Sequence, residues 1–326
     1  MSSVVVFGSI NLDITTYLER RPVPGETIVA RDITLHLGGK GANQSVAVSK
    51  LGIPSHLIGA IGKDAFGADV KTSLSEANVI CHLSELSHVA TGVAVIDVAD
   101  DGSNDIRISA AANGQMTPEI ATKYNHIISN ADVLLLQHEV PLQASLEAAR
   151  IARAADTFVI MDPAPAPANQ WPREVLAAFD LITPNTHEVR SIIGWEPKNL
   201  DEAQRAAKAI CEAGSPGVIV TAGEFGVAWY IDGVGGQMVA PKVAAVDTVA
   251  AGDCFNGALA ASFVRGASAI YAIEFACHAG ALATTRSGAS QSAPELDEVL
   301  TYMSKTLDNE EQFGVGPHIV KKASAI

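Results

Sequence analysis

Short, continuously apolar runs separated by Ala-rich amphipathic stretches constrain this chain more than any other feature. The runs occupy residues 4–7, 133–136, 158–161, 181–183 and 218–221. A strand without polar alternation is buried on both faces, and in a soluble protein that means a parallel sheet covered by helices. The intervening stretches supply the cover, with helices predicted over 42–51, 65–76, 145–155, 201–212, 252–264 and 269–284. The expected fold class is therefore α/β, three layers on a mostly parallel central sheet.

Two segments break this rhythm. Residues 14–37 hold Pro22-Val23-Pro24-Gly25, with extended strands expected at 27–30 and 33–37. Residues 91–110 read as a hairpin turning at Asp100-Asp101-Gly102-Ser103. Together they predict a small antiparallel sheet acting as a lid, the alternative being an edge extension of the main sheet. The organisation expected is a core of residues 1–13, 38–90 and 111–308, a lid of 14–37 and 91–110, and a C-terminal extension at 309–326, where periodicity is lost.

Partners are bounded by charge. Lys and Arg number 22 against 36 Asp and Glu, a formal net charge of −14. Such a surface does not track a phosphate backbone, which makes nucleic acid and anionic membrane poor partners. Any bound polyphosphate needs local amides, a few cations and metal ions. No apolar run reaches the roughly 18–20 residues of a membrane span. The start of the chain reads as a first strand rather than a signal peptide, so a cytoplasmic location is expected. Cys81, Cys211, Cys254 and Cys277 are scattered without zinc-ligand spacing, and reduced thiols are expected.

Four constellations can carry chemistry. In Gly8-Ser9-Ile10-Asn11-Leu12-Asp13, an amide and a carboxylate follow a buried strand; they suit a pair of sugar hydroxyls, or simply form a turn. Gly38-Gly39-Lys40-Gly41-Ala42-Asn43-Gln44 leads into a helix start that a ligand can approach closely, without Walker A spacing. Thr183-Pro184-Asn185-Thr186-His187-Glu188 offers oxygens one helical turn apart, read as hard ligands for Mg²⁺ held through water, as a capping box, or as both at once. Asp247-Thr248-Val249-Ala250-Ala251-Gly252-Asp253 brings small residues into a helix start suited to an anion, though an acid in a first helical turn is also electrostatically favoured by itself.

Taken together and in this order, these motifs resemble those of the PfkB carbohydrate kinase family, with its ribokinase branch nearest, from about residue 4 to about 300. The resemblance implies a ribokinase-like fold and ATP-dependent phosphorylation of the 5-hydroxyl of D-ribose. Other acceptors of the same class are another pentose, a ketohexose or a nucleoside; a non-catalytic sugar-binding regulator is the reading outside that class. The intact Ala250-Ala251-Gly252-Asp253 run argues against the last.

By resemblance, Asn11, Asp13, Gly39, Lys40, Gly41, Ala42, Asn43, Glu139 and Asp253 line the sugar pocket. Asp253 is the general base, and the amides of Ala250, Ala251 and Gly252 form an anion hole. Asn185, Thr221, Ala222, Gly223, Glu224, Phe225, Gly226, Gly252, Asp253 and Cys277 belong to the nucleotide site. Glu188 is linked to Mg²⁺ through water. Asp247, Val249, Ala283, Arg286, Gly288 and Ser292 surround an activating K⁺. A homodimer clasped through the lid is also implied. The chain departs from the family pattern at Cys254, where Thr is usual, at Cys277, where a His is expected, and in Ser109-Ala110-Ala111-Ala112-Asn113, which is poorer in Gly.

Overall fold

In the computed structural model, which describes residues 2–101 and 103–312, all five apolar runs become strands of one sheet. In chain order the strands are β1 (Val4–Phe7), β2 (Asn11–Leu18), β3 (Asp32–Gly38), β4 (Ser55–Gly62), β5 (Ile80–Leu86), β6 (Gly92–Ala99), β7 (Asn104–Ser109), β8 (Val133–Gln137), β9 (Phe158–Asp162), β10 (Leu181–Ile182), β11 (Gly217–Thr221), β12 (Gly226–Ile231) and β13 (Val234–Val239). The helices are α1 (Lys40–Lys50), α2 (Ala65–Glu76), α3 (Pro118–Lys123), α4 (Asn125–Ile128), α5 (Leu142–Arg153), α6 (Arg173–Leu176), α7 (Thr186–Ile193), α8 (Leu200–Ala213), α9 (Ala251–Val264), α10 (Ala269–Ala283) and α11 (Leu296–Gln312).

The large sheet has the order β13-β12-β11-β10-β9-β8-β1-β4-β5. It is parallel from β5 to β11, and only the β11–β12 and β12–β13 pairs are antiparallel. Alternate residues of each central strand feed two separate cores. Val4 and Val6 pack with α1, α2, α9, α10 and α11, whereas Val5 and Phe7 pack with the layer of α3 to α8. The three-layer α/β/α expectation holds, and its cause is the one read from sequence: strands apolar at every position need helices on both sides.

A second, four-stranded sheet has the order β3-β2-β6-β7 and does not extend the first. Its outer pairs are antiparallel, but its central pair, β2 with β6, is parallel. This corrects the purely antiparallel expectation. β2 continues out of β1 and β6 out of β5, two strands that run the same way, so the extensions do too. Residues 27–30 form no strand; β3 instead pairs with Asn11–Leu18, and the Pro-containing segment only connects them. The helix α11 runs to Gln312, past the expected start of the extension at 309; residues 313–326 lie outside the described ones.

Candidate active site

β1 lies between β4 and β8, so the chain leaves it to one side, then crosses to the other. Such a switch point opens a crevice beyond the carboxyl ends of the strands. Ser9 to Asn11 follow β1 there, Gln137 ends β8 and Glu139 follows it, Asp162 ends β9, Asn185 follows β10 and Thr221 ends β11. The first turns of α1 and α9 face each other across the same crevice, joined by side-chain hydrogen bonds.

Asp253, in the first turn of α9, is 3% exposed. Asn43 Nδ2 donates to its Oδ2 at 2.9 Å, and Gln44 Nε2 donates to its Oδ1 at 3.2 Å. Gln44 Nε2 also donates to Asp162 Oδ2 at 3.1 Å, and Gln137 Nε2 donates to Gln44 Oε1 at 2.7 Å. Carboxylates only accept, so the orientation of both glutamine amides is forced. Burial raises the Asp253 pKa; the Lys40 ammonium and the Asn43 amide restrain the rise without cancelling it. The Lys40 ammonium stands 3.8 Å from Asp162. Burial works against its charge, but the fields of Asp162, Asp253 and Glu139 outweigh that and lift its pKa above the ordinary value. One cation is thus held among several buried acids, which it partly neutralises.

Beside this cluster, Asn11 and Asp13 begin β2, on the lid rather than at the end of a core strand. Asp13 Oδ1 and Asn43 Oδ1 are buried without a hydrogen-bond partner, two acceptors with capacity left for a donor. Burial, then the charges of Glu139 and Asp253, raise the Asp13 pKa to about 7. Glu139 Oε2 accepts from Ser9 Oγ at 2.5 Å and from the Lys40 N–H at 3.0 Å, so one face of α1 is pinned to it. Gly39 precedes α1 with φ 85°, and a Cβ there would meet Asn11 N at 2.8 Å; only glycine brings the helix start this close. The helix begins at Lys40, two residues before the expected start, with Gly41 and Ala42 in its first turn.

On the other side of Asp253 the walls are backbone. Ala250 precedes α9 in the left-handed region, φ 59°. Ala251 N–H donates weakly to Thr248 O at 3.4 Å, while among the described residues no acceptor takes the N–H of Gly252 or Asp253. A Cβ on Gly252 would meet nothing within 4 Å, so open space lies over this helix start. Asn256 Nδ2 donates to Gly252 O at 3.0 Å and Thr183 Oγ1 donates to Asn256 Oδ1 at 2.7 Å, tying the turn to the end of β10.

Asn185 and Glu188 form a capping box on α7. Both Glu188 oxygens accept from Asn185, at 2.7 Å each, and Glu188 is 5% exposed. The capping-box reading holds; each capped oxygen keeps a second lone pair, so a link to Mg²⁺ through water stays compatible with it, and burial raises the Glu188 pKa. No group of three His, Cys, Asp or Glu side chains among the described residues forms a metal cage. The donor set fits a Mg²⁺ that arrives with its nucleotide and keeps its waters. Thr221 pairs with Asn185 as a parallel bridge, and Ala222 leads into the turn Gly223–Phe225, where Glu224 lies and which Gly226 closes; Phe225 is half-exposed. Cys277 is buried within the apolar layer, and burial pushes its thiol up to about 12, so it offers packing rather than a polar contact. Cys254 sits against Ala47, Ala283 and Ala293, and its thiol is likewise pushed up to about 12.

The Asp247 carboxylate accepts from Val249 N at 3.0 Å and Gly288 N at 3.2 Å. The Thr284 carbonyl accepts from both Val246 N and Asp247 N. The loop after α10, with Ala283, Gly288 and Ser292, therefore meets the strand-like run before α9. One carboxylate amid carbonyls is a hard-oxygen set suited to an alkali cation. Arg286 instead turns to Glu298, 2.9 Å away, so only its backbone is left for that site.

Sequence reasoning missed Ser9, Gln44, Gln137, Asp162 and Asn113 as contributors. Gln137 and Asp162 carried a usable signal, since each is a polar residue ending an otherwise apolar strand. Asn113 carried only an indirect one, as the last residue of the loop that departs from the family pattern.

Buried carboxylates and amides at strand ends, opposite a helix start with free amides, define a phosphotransferase acting on a hydroxylated small molecule. The model of the pfkB family of carbohydrate kinases matches residues 1–296, and the chain belongs to that family. It is 33% identical to a ribokinase of Haemophilus influenzae over 92% of this chain and 98% of that protein. A deoxyribokinase of Salmonella typhi is 29% identical over 92% of this chain and 98% of its own length. Among solved structures, an Arabidopsis thaliana ribokinase complexed with ribose and ATP superposes with a TM-score of 0.86 at 32% identity, covering 93% of this chain and 99% of that one. No helix among the described residues is long and apolar enough to cross a membrane.

Proposed function

We propose that the chain transfers the γ-phosphoryl group of ATP to the 5-hydroxyl of D-ribose, giving ribose 5-phosphate and ADP. The observation that carries this reading is the placement of Asp253, a buried carboxylate held by Asn43 and Gln44 at a helix start whose next amides are free. Asp253 takes the proton of the attacking hydroxyl. The sugar lies among Asn11, Asp13, Gly39, Lys40, Asn43 and Glu139, with the unpartnered oxygens of Asp13 and Asn43 accepting from its hydroxyls. The Gly252 amide and its neighbours in the 250–253 turn stabilise charge on the transferred group. Asn185 and residues 221–226 border the nucleotide.

Glu188, through water, would border a Mg²⁺ arriving with ATP, and Asp247, Val249, Ala283, Gly288 and Ser292 would hold a K⁺; the two ions would supply positive charge for the phosphates beside the 250–253 turn. Lid closure excludes water from the transfer. We place the reaction in the cytoplasm, where ATP is supplied and the four free thiols stay reduced.

A coupled assay of ADP release with ribose, 2-deoxyribose, other pentoses, fructose and nucleosides, in K⁺ and in Na⁺ or choline, tests this reading. Ribose is expected to give the highest kcat/KM, and K⁺ the highest rate. A preference for 2-deoxyribose, as the deoxyribokinase relative suggests, moves the acceptor assignment; indifference to the cation removes the K⁺ site.

The lid also supports a homodimer. Ile106 and Ile108 on β7 are 51% and 54% exposed, and by register Ile108 lies in line with Ala94 and Asp13 on one face of the small sheet. That apolar continuation of the substrate face is what a second lid would cover. Sedimentation at micromolar concentration should give a dimer that Ile108→Asp dissociates; a strictly monomeric wild-type mass rejects the clasp.

A further inference from the structure

Asn113 belongs to none of the four motifs. It lies in the short 3₁₀ turn Ala111–Gln115 that returns the chain from the lid to the core, in the loop that departs from the family's Gly-richer pattern. Its side chain is nevertheless among the most enclosed polar groups of the molecule, 1% exposed. Ile10 N–H donates to Asn113 Oδ1 at 2.9 Å, while Asn113 Nδ2 donates to Ile10 O at 3.0 Å and to Asn11 Oδ1 at 2.8 Å.

The polarity of this chain of bonds is forced. A backbone N–H can only donate, so the oxygen of Asn113 faces Ile10 N and its nitrogen faces Asn11. Asn11 must then present Oδ1 to Asn113, which leaves its own Nδ2 directed away, without a protein acceptor among the described residues. Gly92, opposite Asn11 in the β2–β6 register, completes the clamp: a Cβ there would meet Asn11 Oδ1 and Asn113 Nδ2, each at 2.3 Å. The first residue of the β6 insertion, the loop that closes it and the end of β1 thus converge on one amide.

We propose that Asn113 is a positioning residue for sugar recognition: it locks Asn11 as a hydrogen-bond donor beside the acceptor Asp13. The pocket then reads one hydroxyl through its oxygen and another through its proton, and a substrate lacking the first is refused. An Asn11 free to flip would accept at that position and lose the distinction. The inference rests on the sugar-kinase reading above.

The test is a steady-state comparison of wild type with Asn113→Ala, Asn11→Ala and the double variant. Asn113→Ala is expected to raise the KM for ribose about ten- to a hundredfold, with the KM for ATP within about twofold of wild type, which a general structural defect would not preserve. The double variant should behave like Asn11→Ala alone. Discrimination between ribose and its 2-deoxy or 3-deoxy analogue should shrink in both single variants by the same factor. Should Asn113→Ala not fold, Asn113→Asp keeps the acceptor for Ile10 N but cannot donate to Asn11, and the same rise in sugar KM is expected. An unshifted sugar KM, equal losses for sugar and ATP, additive effects of the two alanines, or a wild type indifferent to both deoxy sugars overturns the inference while leaving the kinase reading intact. Absence of any sugar phosphorylation by the wild type overturns the functional reading itself, and this inference with it.

Discussion

The two sides of Asp253 are built from different materials. Toward the proposed sugar pocket, the site is made of side chains: Asn11, Asn43, Gln44 and Asp253 are all nearly inaccessible, and each is fixed by another buried side chain. Toward the phosphates it is made of backbone: the 250–253 turn, the Asp247 run and the loop after α10, held mainly by amide-to-carbonyl bonds, with Val246 and Val249 exposed. The difference follows from what each side must recognise. A neutral polyol is distinguished by the direction of its donors and acceptors, which demands rigid side chains. A phosphoryl group is distinguished by charge, which backbone amides supply once shape admits it.

The largest test of this division falls on the residue where the halves meet. Asp253→Asn keeps the shape and the bond to Gln44 but removes the base, and kcat is expected to fall by about two to four orders of magnitude, the usual contribution of a positioned general base. Ribose affinity measured by titration is expected to fall by no more than about tenfold, because the only bond of the side-chain half that loses its acceptor is the one from Asn43. Near-normal turnover would dissolve the assignment of Asp253.

A change confined to the backbone half should cost less and strike a different parameter. Gly252→Val fills space in which a Cβ meets no protein atom. Thermal stability is expected to stay near wild type while kcat/KM for ATP falls about a hundredfold, the scale of a displaced reacting group. An equal fall in sugar affinity would show that the two sides are not separable.

How legible each side was follows from the same contrast. Side-chain motifs leave residue-level marks, and Asn11, Asp13, Lys40, Asn43 and Asp253 stood out in sequence as strand-end or helix-start polar groups. Their partners did not: Asn113 and Ser9 act through bonds between elements far apart in the chain, 103 and 130 residues in separation, which no local pattern encodes. The fold shows the same limit. Strands with continuous apolar runs were legible, but β4, next to the sheet edge and paired on both sides, reads Ser-His-Leu-Ile-Gly-Ala-Ile-Gly, where glycines and a histidine interrupt the pattern. The parallel β2–β6 pair follows only from the directions of β1 and β5. Glu188 was legible as a cap, and the spacing that makes the cap is the same one that suggested a water-mediated metal link.

The side-chain half also predicts a pH signature. Asp13 is raised from 3.8 to about 7, chiefly by burial. A carboxyl raised on folding binds its proton more tightly in the native state, so its contribution to stability is full below about 4, declines as pH rises and is gone above about 7. Asp13→Asn should therefore stabilise the ligand-free protein at pH 8 by at most about 4 kcal/mol and leave it unchanged near pH 4, read as melting temperatures across that range. In the wild type the KM for ribose should fall as pH rises through about 7, since only the ionised carboxylate accepts a hydroxyl proton freely. A flat melting difference between wild type and Asp13→Asn would mean that solvent reaches Asp13 in the native state.

The smallest effect concerns strain in the backbone half. Ala250 adopts φ 59°, a left-handed conformation that an L side chain enters at a cost of about 1 kcal/mol. A glycine would adopt it freely, yet alanine stands there, in the turn whose amides the proposed chemistry uses. A Cβ at this position narrows the conformations open to the turn before substrate binds, so that the amides of Gly252 and Asp253 are already aimed. Ala250→Gly should raise stability by about 1 kcal/mol, while lowering kcat a fewfold and leaving sugar affinity untouched. Opposite signs for stability and turnover are the mark of strain retained for positioning; a variant that gains stability with undiminished kcat would assign the strain to packing, and one that loses stability would show that the Ala250 methyl contributes contacts that outweigh it.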